Sequence, residues 1–70
     1  MEKMSLAGRP YIPLHNLLKL EGWCESGAAA KHAIAAGMVS VDDRIELRKS
    51  CKIIAGQIVG YEGRSIQVTA

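Results

Sequence analysis

A chain of 70 residues with no Phe, one Trp and two Tyr cannot build its interior around aromatic rings, so aliphatic side chains must fill a thin core. Cysteine is equally scarce. Cys24 and Cys51 stand far apart and form neither a C-x-x-C pair nor a set with histidine at zinc spacing. That excludes a disulfide framework and a zinc knuckle, and both residues read as reduced thiols filling small gaps at the edge of the core. No run approaches the roughly 20 apolar residues of a membrane-spanning helix. The start, MEKMSLAGRP, lacks the apolar centre of a signal peptide. The expected location is cytoplasmic, with no membrane partner.

Other absences narrow the chemistry. The seven glycines are spread singly, so no phosphate-cradling nucleotide loop is present. His15 and His32 have no carboxylate or thiol at ligand spacing, which leaves no metal site and no cofactor to expect. Neither a Ser-His-Asp nor a Cys-His arrangement suggests a nucleophile, and a chain this short has little with which to enclose a substrate. The residues propose no enzyme.

What is present is a run of short elements. Residues 1–10 read as a loose leader and 11–70 as the folded core of a single domain, since no periodicity starts before Tyr11 and Ile12. Those two suit a short edge strand, limited by Pro10 and Pro13. Pro13 then opens a helix whose Leu14, Leu17 and Leu18 share a face, and Gly22 stops it. Trp23, just beyond, reads as a core plug; as a platform for a stacked base it would need an exposed ring. Ser26 is the natural N-cap of a second helix with Ala30, Ala33 and Ile34 inward, closed by Gly37. Val39 and Val41 alternate with Ser40, Asp42-Asp43 turns, and Arg44, Ile45 and Glu46 return. Ile53 and Ile54 re-enter the core. Ile58 to Tyr61 and Arg64 to Thr69 make further strands, with Ile66 and Val68 inward. The sum is an α+β domain, two short helices followed by a small antiparallel sheet.

The net charge is only +2, but its distribution is uneven. Arg44, Arg48, Lys49 and Lys52 fall within nine residues that hold a single acid, Glu46, whereas the remainder of the chain is slightly acidic. The Ser26 helix opens close by in sequence with Gly27, no acid in its first turn, and Lys31 one turn along. A helix start offers unpaired N–H groups and a partial positive charge, so together with the bases it is expected to seat phosphates. On a continuing strand Arg44 and Glu46 share a face, which would let Glu46 hold Arg44. The candidate RNA-binding residues are therefore Ser26, Gly27, Lys31, Arg44, Arg48, Lys49 and Lys52, weighed against an ordinary solvated basic face.

Several motifs in order, Leu17-Leu18-Lys19, Gly22-Trp23, Ser26-Gly27, Ala30-Lys31, Ile34, Gly37, Val39, Val41, Glu46, Arg48-Lys49, Cys51-Lys52-Ile53 and Gly56, resemble the S-four-type RNA-binding domain, or αL motif. The likeness runs from about Leu14 to Val68 and is nearest to the small free-standing bacterial members. Ala28 and Ala29 stand where that family often has Gly and Glu, and Asp42-Asp43 replaces an Asn-Gly type of turn. The resemblance implies a non-catalytic grip on structured RNA, of the ribosomal or transfer RNA class, through Ser26, Gly27, Lys31, Arg48, Lys49 and Lys52, with a ribosomal particle as a possible setting. Arg44 is added from charge clustering. The competing expectation is a protein-interaction adaptor in ribosome assembly that uses the same basic face.

Overall fold

The computed structural model describes residues 1–70, with elements β1 (Glu2–Ser5), β2 (Ile12–Pro13), α1 (Leu14–Leu20), α2 (Gly27–Ala35), β3 (Val39–Val41), β4 (Arg44–Ile45), β5 (Lys52–Ile53), β6 (Ile58–Tyr61) and β7 (Arg64–Thr69). Five strands form one sheet in the order β1-β7-β6-β3-β4, and β2 pairs separately with β5.

The helices form where periodicity and caps coincide. In α1, Leu14, Leu17 and Leu18 are fully buried, and Gly22 follows at φ 74°, a left-handed position that glycine takes without steric cost. In α2, Ser26 adopts an extended backbone and its hydroxyl accepts the Ala29 N–H at 3.1 Å. That satisfies one of the N–H groups that every helix start leaves open. Ala30, Ala33 and Ile34 turn inward, and the two small side chains let α2 pack closely against its neighbours. All 15 buried residues join in one apolar cluster, with no buried polar side chain among them. At about 1.5–3 kcal/mol for each large aliphatic side chain buried, this cluster is the main force holding the helices to the sheet.

The sheet is antiparallel through β4, β3, β6 and β7. Asp42 and Asp43 both have positive φ, 51° and 66°, so the β3–β4 hairpin closes with the mirror-image turn that matches strand twist. Aspartate tolerates that region better than most residues. Asp42 also takes part in the sheet: its Oδ1 accepts the Ile58 N–H at 3.0 Å while its own N–H donates to the Ile58 carbonyl.

Two expectations fail. Residues 1–10 are not a loose leader, because Glu2–Ser5 adds to β7 as a parallel strand and makes the sheet mixed. Its ladder is reinforced by Leu6 N–H donating to the Thr69 carbonyl at 2.8 Å and by the Ser5 hydroxyl donating to Ala70, and Leu6 itself is buried. Ile54 does not enter the core. Residues adjacent on an extended chain face opposite ways, so Ile53 is fully buried and Ile54 is about half exposed.

Candidate functional site

The basic segment begins at the β3–β4 turn. Strand β4 is two residues long, with Arg44 opposite Val41 and Ile45 opposite Ser40. After a last ladder bond from Glu46 N–H to the Val39 carbonyl, the chain leaves the sheet. That departure changes the partner of Glu46. Its carboxylate holds Arg48 rather than the expected Arg44, because the strand ends before Arg44 and Glu46 can share a pleated face. Oε2 accepts both the main-chain N–H and Nε of Arg48, each at 2.9 Å, and Oε1 accepts Nη2 at 3.2 Å. These bonds, the side-chain ones foremost, hold the Glu46 carboxyl down at about 2, well below the usual carboxylate range. Glu46 in turn raises the pKa of Arg48. Nη2 also lies 3.5 Å from the Cys51 sulfur, and burial followed by the Glu46 charge pushes that thiol up, so Cys51 is a neutral neighbour of the site.

The loop is anchored by its main chain. Helix α1 has Pro13 at its N-cap position, which provides no side-chain cap. The open N–H groups of its first turn are met from outside: Leu14 N–H donates to the Cys51 carbonyl at 2.9 Å and His15 N–H to the Lys49 carbonyl at 3.2 Å. The imidazole adds a second bond, Nδ1 donating to that same Lys49 carbonyl at 3.0 Å. The helix start is thus capped by the carbonyls of the basic loop, and the side chains of Arg48 and Lys49 are left exposed. Lys52 follows in β5 opposite Pro13, its ammonium 5.0 Å from the Tyr11 ring centroid, within cation–π range.

These elements enclose an open cavity of about 480 Å³, with Arg44, Arg48 and Lys52 in its wall together with Asp42, Glu46 and Gln57. Both acids in this wall already accept backbone N–H groups, Asp42 from Ile58 and Glu46 from Arg48. Three of the four clustered bases therefore share one concave surface. Lys49 lies next to it in sequence without lining it. Ser26, Gly27 and Lys31 do not line it either. They form the start of α2, where Ser26 caps, Gly27 is half-buried, Lys31 is exposed, and the first turn holds no acid.

Sequence reasoning missed His15 and Tyr11. Each acts on the loop from across the chain, and a lone histidine or tyrosine in sequence does not reveal a partner more than 30 positions away. Trp23 is neither a sealed plug nor a free platform. It packs on the core half-exposed and stacks on Tyr61 at a centroid distance of 6.3 Å, with the Arg64 guanidinium over both rings at 5.4 and 5.9 Å. The neighbouring Glu62 carboxylate, then burial, pushes the Tyr61 hydroxyl up to about 12.

The S4 domain model matches residues 4–69. Over all 70 residues, and over the full length of each relative, the chain is 57% identical to the Escherichia coli (strain K12) protein named "Putative RNA-binding protein YbcJ" and to "Uncharacterized protein YbcJ" of Shigella flexneri. The solution structure of E. coli YbcJ, described as revealing an αL motif involved in RNA binding, matches with a TM-score of 0.76 at 57% identity, covering 100% of this chain and 89% of that one.

Proposed function

We propose that this chain, which belongs to the S4 domain family, is a non-catalytic protein that grips structured RNA of the ribosomal or transfer RNA class through its phosphate backbone. One observation carries the reading: Arg44, Arg48 and Lys52 wall a single open cavity, and the two acids beside them are already engaged in backbone hydrogen bonds. A guanidinium meets a phosphate with directed N–H groups and an ammonium adds a less directional charge, so the mixture suits a curved backbone more than a base edge. Duplex RNA hides its bases in a deep, narrow groove and is gripped by shape and phosphate, which is what such a surface offers. Lys49 extends the cationic rim, and Ser26, Gly27 and Lys31 at the start of α2 supply a second phosphate seat. The family resemblance and the RNA-binding description of the E. coli relative support the same reading.

The test is binding of a transfer RNA transcript, followed by fluorescence anisotropy across a salt series. With about four phosphates neutralised, log affinity falls against log salt with a slope of about −3 to −4. Replacing Arg44, Lys49 and Lys52 together by Ala lowers the magnitude of that slope by about 2 to 3, leaving the share of Arg48 and of the α2 start. A triple variant with unchanged affinity and slope would remove RNA from this surface.

A further inference from the structure

Glu46 is an acid in the wall of a cationic cavity, and by charge alone it should repel a polyanion. Its geometry argues the opposite. Three N–H groups of one residue converge on its carboxylate, and two of them, Nε and Nη2, form one edge of the Arg48 guanidinium. A fork of that kind fixes the plane of the group and leaves the Nη1 donors on the side away from the acid. The exposure is just as uneven: the Glu46 side chain is 17% exposed and that of Arg48 is 77% exposed. The acid is recessed and the base is held up into solvent. Cys51 flanks the same guanidinium at 3.5 Å, so the arginine is bracketed before any ligand arrives.

We infer that Glu46 is a positioning residue that immobilises Arg48 in advance, so that its Nη1 group meets a phosphate oxygen of the RNA; this rests on the reading of the cavity as an RNA surface. An unbraced arginine on the protein surface samples many rotamers, and freezing it at an interface costs affinity. Glu46 removes most of that cost before binding. Its own charge is spent on the guanidinium edge, and the phosphate sees the outer end of the group. The carboxylate therefore helps binding only through Arg48, and in its absence it only repels.

That dependence gives a test in which the sign decides. Affinity for a transfer RNA transcript is measured for the wild type, Glu46→Ala, Arg48→Ala and the double variant, with thermal melts to confirm that each is folded. Glu46→Ala should weaken binding about two- to tenfold when Arg48 is present. In the Arg48→Ala background the same change should leave binding equal or tighter. Weakening in both backgrounds would make Glu46 a general support of the loop, and tightening in both would make it a simple repellent; either result overturns the inference. A second readout uses no RNA: the Arg48 Nε–H resonance should be resolved and slow to exchange in the wild type, and should exchange rapidly in Glu46→Gln, which keeps the shape but not the charge. An unchanged resonance also overturns it. If the wild type binds neither the transfer RNA transcript nor a structured ribosomal RNA fragment, the RNA reading falls and this role in binding with it, while the Nε–H signal still reports separately whether Glu46 braces Arg48.

Discussion

His15 joins the N-terminal helix to the basic loop, and replacing it by Ala separates the shape of the site from its charge. The substitution removes the Nδ1 bond to the Lys49 carbonyl at 3.0 Å and keeps the main-chain bond from His15 N–H to the same carbonyl at 3.2 Å. The acceptor is not orphaned, so the loss falls in the lower part of the range for a net hydrogen bond, about 0.5–1 kcal/mol. For a domain of this size that lowers the melting temperature by about 2–8 °C. Every charge at the cavity is retained, so the salt slope of RNA binding should stay at its wild-type value while affinity falls a few-fold, because the loop must be ordered on binding. Differential scanning fluorimetry and an anisotropy salt series measure the two effects. A lower slope, or weaker binding with no change in melting temperature, would refute the claim that His15 acts by holding the loop rather than by touching RNA.

Two further predictions concern neighbouring parts of the molecule. The Glu46 carboxyl, held at about 2 against an ordinary 4.5, stabilises the fold above pH 4.5, and that stabilisation is lost as pH falls toward 2. Its side-chain carbon should titrate by NMR near the lower value in the wild type and return toward 4.5 in Arg48→Ala. Leu6→Ala opens a cavity at a residue only 2% exposed and should cost about 2–5 kcal/mol, read as a fall in the urea midpoint. A change under about 0.5 kcal/mol would mean that the N-terminal segment behaves as an unattached surface tail.

The elements that the sequence made legible are those that announce themselves locally. Leu14, Leu17 and Leu18, then Ala30, Ala33 and Ile34, mark helix faces by spacing. Ser26 and Gly22 mark helix ends by chemistry, and Ile66 and Val68 mark a strand by alternation. β1 was hidden because its only inward apolar residue is Met4 and its partner, β7, lies at the other end of the chain. Ile54 was misread because two adjacent apolar residues look like core until the strand direction is known. At the site, the clustering of bases was visible as spacing. The switch of Glu46 from Arg44 to Arg48 was not, since it depends on β4 ending at Ile45, and a strand's end is decided by the neighbours it pairs with.

The division of labour within the basic loop explains why the site belongs to this fold and cannot be read as a run of charges alone. Arg48, Lys49 and Cys51 contribute in two directions: the carbonyls of Lys49 and Cys51 turn inward to the open N–H groups of α1, and the Arg48 and Lys49 side chains turn outward. A cationic loop with no such anchor would repel itself into many conformations and would have to be ordered by its ligand. Here the first turn of α1 lacks a side-chain cap and needs acceptors, and the loop provides them. The same main-chain bonds that complete the helix therefore fix the backbone from which the bases project, so a weakness engineered into the start of α1 must appear at the cavity even though no charge has changed.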